Sequence, residues 1–151
     1  MAEWQGGRGV CERVKELLIV NYGEWIEKVP QSIKSDPLWE IEVYRKALFL
    51  SDLAWRDCDG MLKHDLGRPL AQQLIRSSGS ISANMEEGFG RGFGKDYARF
   101  LRIALGSARE TRGWYYRSRH LLKPGVLEHR LDLPKTIIAG LITMSNQQTK
   151  R

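Results

Sequence analysis

Cysteine is scarce in this chain of 151 residues, which has only Cys11 and Cys58. The two lie far apart, with neither a Cys-x-x-Cys pair nor a metal-ligand spacing, which excludes a disulfide framework and a thiolate zinc site. They read as reduced thiols of a cytosolic protein, with Cys58 in a core. Histidine is nearly as rare: His64, His120 and His129 fall in or near predicted turns, share no helical face with acidic residues and form no His-Glu-x-x-His motif. No apolar run approaches the roughly 18 residues of a membrane span. Leu17, Leu18, Ile19 and Val20 are too few for a signal segment, and Glu12, Lys15 and Glu16 interrupt the approach to them. The expectation is a soluble, cytoplasmic protein. Alternating strand patterns bounded by hairpin turns are also missing.

What is present is helical periodicity. At 42% hydrophobic content the chain has enough apolar material for one domain with a real core. Asp36 and Pro37 make a helix start, with Asp as N-cap and Pro at the first helical position. Ile41, Tyr44, Leu48, Trp55, Cys58 and Leu62 then recur at steps of three and four, broadened by Ala47, Leu50, Ala54 and Met61. This predicts a first long helix ending near Lys63, followed by a turn at residues 64–69. Leu70, Leu74, Ile81 and Met85 mark a second, from about Pro69 to Glu87. Its middle is rich in poor helix formers, Ser77, Ser78, Gly79, Ser80 and Ser82, which points to close packing against a neighbour; the alternative is a break at Gly79. Tyr97, Leu101, Ala104, Ala108, Thr111, Tyr115 and Leu122 predict a third helix over residues 95–122, ended by Pro124 and Gly125. A fourth, beginning near Asp132 and Pro134, carries Ile137, Ile138, Leu141, Ile142 and Met144. The predicted fold is all-α, an antiparallel up-down four-helix bundle at residues 36–145. An N-terminal, partly helical arm at residues 1–35 contains Trp4 and Trp25, and residues 146–151 form a polar tail.

Glycine is concentrated at Gly88, Gly90, Gly92 and Gly94, between the second and third helices. A Walker A loop fails on register, because Phe89 stands where its first Gly belongs and Asp96 where Ser or Thr belongs. The dinucleotide fingerprint fails at Phe93. Both motifs also need a preceding strand. The glycines therefore read as a helix end and a tight reversal. No serine has an evident base beside it, and Glu86 and Glu87 point to different sides of a helix. No catalytic residue, cofactor or metal site is expected.

The formal net charge is +6 and the pI about 9.5. Between residues 91 and 123 stand nine basic residues, Arg91, Lys95, Arg99, Arg102, Arg109, Arg112, Arg117, Arg119 and Lys123, against Asp96 and Glu110 alone. That one segment holds the whole surplus. Arg91 with Lys95, Arg99, Arg102, Arg109 and Arg112 are the candidate nucleic-acid contacts, a stripe suited to a phosphate backbone read without sequence preference. The same charges would also serve as a solvated face, some paired to Glu86, Glu87 or Glu110. Ser80, Asn84, Glu87 and Gly88 are read as a structural network at the corner, with Arg91, Arg99 or Arg102 as partner.

The run Ile75-Arg-Ser-Ser-Gly-Ser-Ile-Ser-Ala-Asn-Met-Glu-Glu-Gly-Phe-Gly-Arg91, followed by Phe100-Leu-Arg-Ile-Ala-Leu-Gly-Ser-Ala-Arg-Glu110, closely resembles the four-helix bundle proteins encoded in intervening sequences of bacterial 23S rRNA genes. Ser80, Ile81, Asn84, Glu87, Gly88 and Arg91 match the first part of that pattern. Phe100, Leu101, Ala104, Gly106, Ser107 and Glu110 match the second, and Val43-Tyr-Arg-Lys-Ala-Leu48 is also similar. Glu86 departs from the family's usual Ala. The resemblance implies a ring-forming homo-oligomer, commonly a pentamer, with no catalytic residues to carry over. The family is similar in fold to the accessory variability protein of diversity-generating retroelements, which partners a reverse transcriptase and RNA. Function is thus expected to be nucleic-acid binding, RNA before DNA, or an oligomeric scaffold without it.

Overall fold

The computed structural model describes residues 21–151. The part of the expected N-terminal arm before residue 21, with Trp4 and Cys11, lies outside them. Among the described residues every regular element is helical. Short helices α1 (Tyr22–Lys28) and α2 (Gln31–Lys34) precede a 3-10 turn at Pro37–Glu40. Four long helices follow: α3 (Glu42–Met61), α4 (Gly67–Gly90), α5 (Lys95–Arg117) and α6 (Pro124–Thr149), with a 3-10 turn at Arg119–Leu121 before the last.

Pairings between helices fix the topology. Ser80 meets Ser107 and Arg76 meets Glu110, so α4 and α5 run antiparallel. Gly94 and Arg102 at the start of α5 bond Gln148 and Thr149 at the end of α6. Asp57 meets Arg130, and a side chain at Gly140 would strike Val43, so α3 and α6 are antiparallel too. Neighbours in sequence are neighbours in space, as an up-down bundle requires.

The boundaries shift from expectation for physical reasons. Asp36 does cap, its carboxylate accepting from the Leu38 N–H, but it caps the 3-10 turn; extended backbone at Ile41 separates that turn from α3. The first seam is also displaced. Tyr44, Ala47, Leu50, Ala54, Cys58 and Met61 are buried with Phe49 and Leu53, whereas Trp55 and Leu62 are exposed. α4 starts earlier, at Gly67, continues to Gly90, and is unbroken at Gly79. Ser77, Ser78 and Ser82 are buried, each hydroxyl donating to the carbonyl three residues back, so the small residues close-pack with their polar groups satisfied.

α5 ends at Arg117 rather than 122. Pro124 does not stop it but opens α6 at the N1 position, where the missing N–H costs nothing. Pro134 lies inside α6, fully buried, instead of near its start. The expected tail is helical to Thr149 because Gln148 and Thr149 bond the start of α5.

Trp25 finds its partner in α3. Its ring packs against Trp39 and Phe49, and its indole N–H donates to Asp52 Oδ2 at 2.7 Å. Glu86, the departure from the family pattern, accepts from the Tyr44 hydroxyl at 2.9 Å and ties α3 to α4.

Candidate nucleic-acid interface

The corner that launches α5 is a turn. Gly92 and Gly94 hold φ of 92° and 91°, a region other residues rarely enter. Gly88 serves differently: it stays helical, and a Cβ there would sit 2.6 Å from Phe100 Cβ. The expected network divides in two. The Asn84 amide donates to the Ser80 carbonyl and hydroxyl at 2.7 and 3.0 Å, and Ser80 meets Ser107 at 3.1 Å, so this part clamps α4 to α5. Glu87 takes no part in that clamp. It pairs with Arg91 one turn on, both exposed. The Gly94 amide is occupied by Gln148 Oε1 at 2.9 Å.

Helix geometry decides which cations share a face. At roughly 100° per residue, Lys95, Arg99, Arg102, Arg109 and Arg117 fall in one arc of about 80° opposite the buried Tyr97, Leu101, Ala104, Ala108 and Tyr115. All five are exposed. Gly106 and Gly113 complete the row and no acidic residue lies in it. Glu110 borders it, but it accepts from the Trp114 indole at 3.1 Å and meets Arg76 at 3.4 Å. Arg112 stands apart, about 60° further round from Arg109 and half-buried. Arg117 takes its place in the row.

Aromatic rings interleave the charge. The Arg91 and Arg99 guanidiniums lie over Phe100 at 5.2 and 5.5 Å. Arg151 covers Phe93 at 5.3 Å, Arg117 covers Trp114 at 4.8 Å, and Arg119 covers Tyr116 at 4.5 Å. Phe93, Tyr116 and Arg151 were not singled out from sequence. Their signal was available: Tyr116 stands seven residues beyond Arg109, on nearly the same line of the helix.

A buried polar cluster supports this face from behind. Asp57 on α3 binds Arg130 on α6 through two contacts of 2.6 and 3.2 Å, and both side chains are only 7% exposed. The Tyr115 hydroxyl of α5 donates to Asp57 at 2.9 Å, and burial pushes that phenol well above its ordinary pKa. His129 sits beside Arg130, which donates to its Nδ1 at 2.6 Å; burial and that cation lower the imidazole pKa. The neighbouring Cys58 thiol is raised to about 12 by burial. Both charges were legible in principle, since Asp57 lies seven residues after buried Leu50 and Arg130 seven before buried Ile137. Charges on a buried row require partners. Among the described residues no His, Cys, Asp or Glu converge as a metal site. No helix there is long and apolar enough to cross a membrane.

On the α3–α4 side of the bundle, Trp55, Leu62 and Leu66 are 70%, 50% and 81% exposed. Trp55 and Leu62 line an apolar groove of about 250 Å³ with Cys58, Ala71 and Ile75.

Residues 40–123, which span α3 to α5 and the glycine corner, match the 23S rRNA-intervening sequence protein family. The chain belongs to that family. The resemblance seen in the sequence thus stands on a match covering more than half the chain. No curated protein matches it. A solved structure from Bacteroides thetaiotaomicron, a protein of unknown function from the S23 ribosomal protein family, is similar in fold: the TM-score is 0.64 at 23% identity, over 68% of this chain and 97% of that one.

Proposed function

We propose that this member of the 23S rRNA-intervening sequence protein family is a non-catalytic bundle that binds nucleic-acid phosphates through the outward face of α5. The observation that carries the reading is the unbroken basic row Lys95, Arg99, Arg102, Arg109 and Arg117, exposed and free of acidic neighbours within its arc. Arg151, over Phe93, adds charge beside its start, and Arg119, over Tyr116, beside its end. Arg91 contributes less, because Glu87 neutralises it. We propose RNA before DNA as the polymer bound. In a gel shift with RNA, raising salt from about 50 to about 200 mM is expected to weaken binding about a hundredfold, the loss for roughly five phosphate contacts. Absence of binding at the lower salt contradicts the reading.

The apolar face at Trp55, Leu62 and Leu66 favours a second property, self-association, with a ring as the expected form. Light scattering of the purified chain is expected to give a mass several times the 17.3 kDa protomer, and Trp55→Asp with Leu62→Asp to return it to one. A wild-type monomer rules this out.

A further inference from the structure

Phe93 and Tyr116 mark the two ends of the basic row, and both are large rings left in water: Phe93 is 71% exposed and Tyr116 55%. Burial therefore does not account for either. Phe93 stands between Gly92 and Gly94, whose positive φ values turn the chain and hold the ring outward. Each ring has one guanidinium over it, Arg151 at 5.3 Å and Arg119 at 4.5 Å, which restrains the ring while leaving most of it accessible. Phe100, by contrast, carries two guanidiniums and packs beside Gly88, so it anchors cations instead. From Lys95, the first residue of α5, to Tyr116 the helix rises about 32 Å, with Phe93 in the turn just before it. That rise equals the length of roughly nine stacked nucleotides of one strand. Exposed rings combined with a cationic track are the requirements for holding unpaired bases, since every base has a face to stack while a duplex keeps its faces inside.

We infer that the α5 face is a single-strand site, in which Phe93 and Tyr116 stack unpaired bases at either end while Lys95, Arg99, Arg102, Arg109 and Arg117 follow the phosphates between them. This rests on the phosphate-binding reading above and adds what distinguishes one strand from two. The probes are a fluorescein-labelled RNA of about 12 nucleotides and the same strand annealed to its complement, titrated at low salt by anisotropy. Phe93→Ala and Tyr116→Ala are each expected to weaken single-strand binding by about fivefold to a hundredfold, with duplex binding unchanged. Phe93→Tyr and Tyr116→Phe, which keep the rings, are expected to retain wild-type affinity. Alanine variants that bind the single strand like wild type, or lose both probes equally, overturn the inference and leave phosphate binding standing. If the wild type binds neither probe, both readings fall.

Discussion

Arg99→Glu combined with Arg102→Glu is expected to reduce nucleic-acid affinity about a hundredfold or more while leaving helical content unchanged. Each lost phosphate contact removes about a fivefold factor near 0.1 M salt, and each new carboxylate adds a comparable repulsion. Both arginines are exposed in the middle of the basic row. Their internal contacts are light: Arg102 donates to Thr149 at 2.9 Å and Arg99 lies over Phe100 at 5.5 Å. Losing such surface contacts costs at most about 1 kcal/mol. Affinity and stability should therefore separate cleanly, by anisotropy and urea unfolding on the same preparation. A double variant that unfolds would make these arginines structural.

Asp57→Ala is expected to do the reverse, costing about 3–5 kcal/mol of stability, because it strands the Arg130 guanidinium in the bundle interior. That is a large share of the roughly 5–15 kcal/mol that holds a domain together. The Tyr115 hydroxyl loses its acceptor in the same variant. Asp57→Leu with Arg130→Met removes both charges and should recover most of the loss. The check is the urea midpoint at constant slope; an Asp57→Ala midpoint within error of wild type would mean the cluster is not a structural tie.

The helices were legible because burial imposes a period that survives any detail of packing. Tyr97, Leu101, Ala104, Ala108 and Tyr115 announced α5 in this way, and all five are buried. Helix ends were harder, since Pro124 can close one helix or open the next and only the chain's return path decides. Pro134 misled for a related reason. Inside α6 it deprives the Arg130 carbonyl of its helical donor, a cost that sequence reasoning weighs against helix, while its full burial against neighbouring helices offsets it.

At the candidate site, the basic helix could be read but its working face could not be fully assigned. Counting steps of three and four admitted Arg112, which the bundle half-buries, and passed over Arg117. Phe93 looked like a failed glycine motif until the turn placed it in solvent. Arg151 lies far from α5 in sequence and reaches Phe93, in the turn before its start, only because α6 returns antiparallel. The Asp57–Arg130 pair joins residues 73 apart, so only the topology brings it together.

The most direct test of phosphate binding by α5 is the affinity of the wild-type chain for a labelled RNA single strand, measured across a range of salt concentrations. A linear fall of log K with log salt, with slope near −3.5 for about five contacts, is the predicted result. Binding that does not respond to salt, or none at about 50 mM, would contradict it.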